Sequence, residues 1–133
     1  MTEAPDTIIL VYDGDGGLRA LLTDTVKTAL GRQECDLCAI AWTITGKRRA
    51  WADAEARLGV FVEELHRDEL PPAWRLTRAD VPCILSRSFG NAPRMLLTRA
   101  EIAACGRSPA ALEVRVRDAL ARRREGTEAA RDG

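Results

Sequence analysis

The sequence has few aromatic residues, a single histidine and no net charge, and these shortages remove whole classes of function. Twenty Lys and Arg balance twenty Asp and Glu, so the field that would attract nucleic acid or an anionic membrane is missing. No stretch approaches the roughly 20 apolar residues that span a bilayer, and the first residues lack the basic and apolar regions of a signal peptide. We therefore expect a soluble, cytoplasmic protein that binds a protein or small-molecule partner and neither nucleic acid nor membrane.

Apolar runs alternate with helical periodicities along the chain, as in an α/β domain. Its 133 residues suffice for one domain with its own core, which we place at residues 1–122, and the apolar period fades in a flexible tail at 123–133. We predict a central sheet of about four strands that ends in a β-hairpin, with helices on both faces. The predicted strands are 8–12, 60–65, 81–85 and 94–97, the predicted helices are 18–30, 51–58 and 109–122, and residues 35–44 favour a helix with a frayed end.

Cys35 and Cys38 form a C-x-x-C pair, the most informative local feature. In a reducing compartment such a pair indicates catalysis or metal binding, although two buried thiols at this spacing can also be core residues. For redox chemistry Cys35 would be the nucleophile and Cys38 the resolving thiol, with no cofactor. A thiolate at Cys35 is favoured by a nearby cation such as Arg32, whereas its neighbours Glu34 and Asp36 disfavour it.

A zinc site is the alternative use of the pair. Tetrahedral zinc needs four ligands, and the chain offers Cys35, Cys38 and its only histidine, His66, together with Cys83 or Cys105. If neither chemistry applies, Cys83 and Cys105 are core residues and the chain is a non-catalytic binding domain. The sequence leaves the three interpretations open.

The order of elements resembles that of the thioredoxin fold, whose last two strands form a hairpin that begins at a cis-proline. Val81-Pro82 matches that position, and the resemblance implies that Pro82 shapes the backbone beside the active thiols. In thioredoxins, however, the C-x-x-C motif directly follows the first strand. Here the sequence Asp-Gly-Asp-Gly-Gly at 13–17 occupies that place, and the cysteines follow one helix later.

Three short segments also resemble a set of bacterial proteins of similar length to which no activity is assigned. The segments are Tyr12-Asp13, the C-x-L-C-A sequence at 35–39 and the His-Arg-Asp-Glu sequence at 66–69. Some members of that set carry a GTPase label. This chain has no Gly-x-x-x-x-Gly-Lys-[Ser/Thr] sequence, so the loop that holds nucleotide phosphates is missing.

The acidic segment at 13–17 is itself similar to the opening motif of haloacid-dehalogenase-type phosphatases. That resemblance implies that Asp13 attacks phosphorus and that Asp15 serves as acid and base, with Mg²⁺ bound nearby. Only residues 66–69 could supply the further acidic motif that such an enzyme needs. The simpler interpretation is an acidic turn whose glycines permit positive φ.

Overall fold

A computed structural model of the chain describes residues 7–13, 35–43, 46–88 and 91–132. The predicted helix at 18–30 and the residues Asp15, Arg32 and Glu34 lie outside the described residues. The elements are β1 (Thr7–Tyr12), α1 (Asp36–Ala41), β2 (Trp42–Thr43), β3 (Gly46–Lys47), α2 (Arg49–Leu58), β4 (Phe61–His66), three 3₁₀ turns (Arg67–Glu69, Pro72–Trp74 and Arg78–Asp80), β5 (Cys83–Arg87), β6 (Arg94–Leu97), α3 (Arg99–Ala103) and α4 (Pro109–Asp132).

The main sheet has four strands in the order β4-β1-β5-β6. β1 pairs parallel with β4 and antiparallel with β5, and β5 pairs antiparallel with β6 as the predicted hairpin. The register places Tyr12 opposite His66 and Val11 opposite Cys83. The ends of β1 and β4 and the start of β5 therefore lie at the same edge of the sheet. The predicted α/β class and four-stranded sheet are confirmed.

β1 is buried on both faces, which explains why its sequence is an unbroken apolar run. Ile8, Leu10 and Tyr12 belong to the larger core cluster, whereas Ile9 and Val11 belong to a second, smaller one. Because successive side chains of a strand point to opposite faces, the two clusters lie on the two sides of the sheet. β1 is thus the centre of the core.

All the helices of the described part contribute to the larger cluster. Their buried residues there are Leu37, Ile40, Ala41, Trp51, Ala54, Ile102, Leu112, Val116, Ala119 and Leu120. On the second face, the turns that follow β4 supply Leu70, Trp74 and Leu76 against Cys83 and its neighbours. Helices on both faces of the sheet stay a prediction, because the helix predicted at 18–30 lies outside the described residues.

Helix ends follow the sequence signals. Gly59 ends α2 in the left-handed region at φ 67°, and Thr98 and Glu101 form a reciprocal capping box at α3. α4 begins at Pro109 and continues to Asp132, through the segment for which the sequence predicts a tail. Ala, Arg and Glu dominate this segment and are good helix formers, so the helix extends where the apolar period has faded.

Residues 35–44, for which the sequence favours a helix with a frayed end, contain a helix that is followed directly by a strand. α1 ends at Ala41, and β2 then forms a two-residue hairpin pairing with β3. The Val81–Pro82 peptide bond is cis and lies directly before β5. No helix of the described residues is long and apolar enough to cross a membrane.

Candidate functional site

The C-x-x-C pair lies at the start of α1, where Cys35 is the N-cap residue. The backbone N–H of Cys38 donates a hydrogen bond to the Cys35 Sγ at 3.2 Å. A second hydrogen bond, from the Cys38 thiol, is the main cause that lowers the pKa of Cys35. Burial acts against this effect, while the backbone N–H groups of Asp13 and Cys38 strengthen it. The site therefore favours negative charge on the Cys35 sulfur.

The two thiols differ in their access to solvent. Cys35 is 3% exposed within the larger core cluster, whereas Cys38 is half-buried and packs against that cluster. Neither cysteine is in a disulfide. The thiol whose pKa is lowered is thus the less accessible of the two.

Asp36, between the two cysteines, is paired with a cation. Arg107 Nε donates to the Asp36 carboxylate at 3.1 Å, and both side chains are partly exposed. The sequence predicts that Asp36 would disfavour a thiolate at Cys35. The ion pair offsets part of that charge, and the pKa of Cys35 is lowered, chiefly by the hydrogen bond from the Cys38 side chain.

Two of the segments singled out in the sequence meet at the sheet edge beside these thiols. The rings of Tyr12 and His66 lie with their centroids 5.8 Å apart. Asp13 and Arg67 are the residues directly after β1 and β4. Arg67 binds the Asp13 carboxylate at 2.9 Å. The backbone N–H of Asp13 in turn hydrogen-bonds Cys35. Parallel pairing of β1 with β4 thus brings the Tyr-Asp segment next to the His-Arg-Asp-Glu segment. Asp13 then connects both segments with the C-x-x-C pair.

His66 is held by its own turn. Its backbone N–H donates to Glu69 at 2.8 Å, and its Nδ1 lies 2.7 Å from the same carboxylate oxygen. The backbone hydrogen bond is the first cause that lowers the pKa of Glu69, and the imidazole contact is the second. His66 is therefore fixed against Glu69 and the Tyr12 ring.

A partly buried ion cluster, not foreseen from the sequence, lies near Tyr12. Lys47 binds Glu55 at 3.1 Å and also Glu64, and its ammonium lies 5.7 Å from the Trp42 ring centroid. Burial alone would lower the pKa of Lys47, but the hydrogen bonds to Glu64 and Glu55 outweigh it and raise that pKa. Burial and the Glu64 charge raise the pKa of Tyr12, which stays a neutral phenol. Lys47 lies near Tyr12 because β3 pairs with β2, and the sequence did not predict this short strand pair.

Cys83 lies on the other side of the sheet from the C-x-x-C pair. It belongs to the second core cluster, whereas Cys35 and Cys38 lie with the first. Burial, with a smaller effect of the Asp80 charge, raises the pKa of Cys83 to about 12. Pro82 precedes it, after the cis Val81–Pro82 bond, and the role of Pro82 beside the reactive thiols stays a prediction. The structure therefore does not bring Cys83 to the same face as the other two thiols.

Cys105 behaves as a core residue at the end of α3. Its Sγ donates to the Glu101 carbonyl at 3.5 Å, and burial raises its pKa. Among the residues that the structure describes, no three His, Cys, Asp or Glu side chains are grouped so that they could hold a metal ion. The zinc set of Cys35, Cys38 and His66 with a further cysteine stays a prediction.

The phosphatase interpretation depends on Asp13 and Asp15, of which only Asp13 is described. The Asp13 carboxylate binds Arg67, a residue of the segment that this interpretation would need as its second acidic motif. Whether the two aspartates flank a phosphate stays untested.

Comparisons with known proteins return no matching family model, no matching curated protein and no matching solved structure.

Proposed function

We propose that the chain is a thioredoxin-like protein that exchanges thiols and disulfides through Cys35 and Cys38. The Cys35 thiolate attacks one sulfur of a substrate disulfide, forming a mixed disulfide and releasing the first substrate thiol. Cys38 then loses its proton and attacks Cys35, so that a Cys35–Cys38 disulfide forms and the second substrate thiol leaves. The substrate gains two electrons, and the protein loses two.

The observation that carries this proposal is the hydrogen bonding of the Cys35 sulfur. The Cys38 backbone N–H and the Cys38 thiol both donate to it. A sulfur that attacks or leaves a disulfide carries negative charge, and such donors stabilise that charge. The Cys38 backbone N–H lies 3.2 Å from the Cys35 sulfur, so the two residues are close neighbours, as disulfide formation needs. Two inert core cysteines would require neither feature.

The fold supports the same function. The strand order β4-β1-β5-β6, with a proline before β5, corresponds to the order of elements that resembles thioredoxins. In that family the reactive pair follows the first strand. Here Cys35 comes later in the sequence, yet the backbone N–H of Asp13, the residue directly after β1, hydrogen-bonds its sulfur. The displaced motif therefore lies close to the end of β1, which supports the proposal.

The burial of Cys35 adds one requirement. At 3% exposure its sulfur cannot meet a protein or small-molecule disulfide without local opening of the surrounding residues. Cys38, half-buried, is the first thiol that a substrate would meet. We assign the nucleophile to Cys35 because the hydrogen bonds to its sulfur lower its pKa and favour the thiolate.

The test is a redox titration of the wild-type chain in glutathione buffers, read by mass spectrometry of alkylated peptides. We expect a reversible Cys35–Cys38 disulfide in the wild type and in a Cys105→Ser control, and none in Cys35→Ser. A chain whose two thiols stay reduced across the whole range of buffers would refute the proposal.

Zinc binding is tested in the same preparation. Protein purified without chelator should contain less than one equivalent of zinc, and Cys35→Ser should not change that content. One tightly bound zinc per chain that is lost in Cys35→Ser would instead support the zinc site and refute the redox function.

A further inference from the structure

The ion pair of Asp13 with Arg67 lies at the edge of the sheet where the reactive thiols meet β1. Asp13 directly follows β1 and Arg67 directly follows β4, and the parallel register brings the two residues together. Arg67 Nη1 lies 2.9 Å from Asp13 Oδ1, and each side chain is 26% exposed. The pair is thus partly shielded from solvent, so its charges are screened less than those of an open surface pair.

Asp13 directly follows Tyr12, which lies in the same core cluster as Cys35, and it acts on Cys35 in two opposite ways. Its backbone N–H donates to the Cys35 sulfur and favours negative charge there, whereas its carboxylate repels that charge. An arginine bound to the carboxylate reduces the repulsion and leaves the N–H donor untouched. Arg67 is placed to do this because its guanidinium binds Asp13 from the neighbouring strand.

Building on the proposed thiol–disulfide exchange, we propose that Arg67 is a positioning residue for Cys35. It acts through Asp13, by neutralising the carboxylate next to the sulfur and by fixing the backbone that supplies the N–H donor. This gives the His-Arg-Asp-Glu segment a part in the chemistry of the C-x-x-C pair, although it contributes no group that touches the substrate.

The inference predicts a shift in the redox equilibrium. The reaction is protein dithiol plus glutathione disulfide giving protein disulfide plus two glutathione thiols, so the protein loses two electrons and glutathione disulfide gains them. In Arg67→Gln the unpaired Asp13 carboxylate destabilises the charged, reduced Cys35. The equilibrium constant should then move toward the protein disulfide by about two- to fivefold, the effect of one partly exposed charge pair.

A double-mutant cycle separates this effect from a purely structural one. If Arg67 acts by neutralising Asp13, Arg67→Gln should change the equilibrium constant less than twofold in the Asp13→Asn background. Arg67→Lys keeps the positive charge and should stay near the wild type. The matched control is Arg87→Gln, which removes a 2.9 Å ion pair with Glu63 at the other end of the sheet and should leave the equilibrium unchanged.

The measurement is the glutathione equilibrium of the wild type and these variants, with circular dichroism to confirm that each is folded. A wild type that forms the disulfide while Arg67→Gln matches it within twofold would overturn the role of Arg67 and leave the proposed function intact. An equal shift of Arg67→Gln in both backgrounds would also overturn it. If the wild type forms no Cys35–Cys38 disulfide, the inference and the proposed function fail together.

Discussion

Replacing Cys38 with alanine removes the thiol that donates to the Cys35 sulfur and keeps the backbone N–H that also donates. The lost donor is a weak one aimed at a charged acceptor, so we assign it about 1 kcal/mol of thiolate stabilisation. At a fixed pH near the midpoint, that energy corresponds to a drop of about fivefold in the thiolate-to-thiol ratio at Cys35. Cys38→Ser retains a hydroxyl donor and should show a smaller drop.

The assay is the ultraviolet absorbance of the thiolate followed against pH. Cys83 and Cys105 ionise at higher pH because burial raises the pKa of both thiols, so they do not obscure Cys35. Because the pKa of Cys35 is lowered on folding, its contribution to stability is present above the ordinary thiol pKa and is lost as the pH falls through the folded value. A Cys38→Ala protein in which Cys35 ionises as easily as in the wild type would refute the hydrogen-bond argument.

Other predictions concern the unreactive thiol and the ends of helices. Cys83 should resist alkylation at neutral pH in the native protein and react after unfolding in urea; rapid native labelling would contradict its burial. Gly59→Ala should lower the free energy of unfolding by about 1–2 kcal/mol in urea titration, since only the left-handed backbone opposes a Cβ there. Thr98→Ala should lower the free energy of unfolding by about 1 kcal/mol in the same assay, because the hydrogen bond that Thr98 accepts from the Glu101 N–H is lost. An unchanged denaturation midpoint would contradict the role of Thr98 as a helix cap.

Much of the fold could be predicted because the signals are local. The unbroken apolar run of β1 indicates a strand buried on both faces, Gly59 marks the end of α2, and Thr98 with Glu101 marks the start of α3. The end of α4 was harder to predict. Its last residues have a high intrinsic helix propensity. They are mostly polar, however, so no apolar periodicity indicates a helix there.

The sequence predicts single residues of the candidate site but not the contacts between them. The C-x-x-C pair is visible in the sequence, but the charges that act on it come from distant segments. Arg107 lies 71 residues after the Asp36 that it binds, and Arg67 lies 54 residues after Asp13. Such pairings depend on strand register and helix packing. The same topology places Cys83 on the far side of the sheet, which its position after Pro82 did not reveal.

The central claim is that Cys35 is the nucleophile of a thiol–disulfide exchange, and trapping the mixed disulfide tests it most directly. Cys38→Ser and Cys35→Ser are each treated with oxidised glutathione, and the modified cysteine is identified by peptide mass mapping. We expect one glutathione on Cys35 in Cys38→Ser and little on Cys38 in Cys35→Ser. Glutathione on Cys38 alone, or on neither cysteine, would contradict the account.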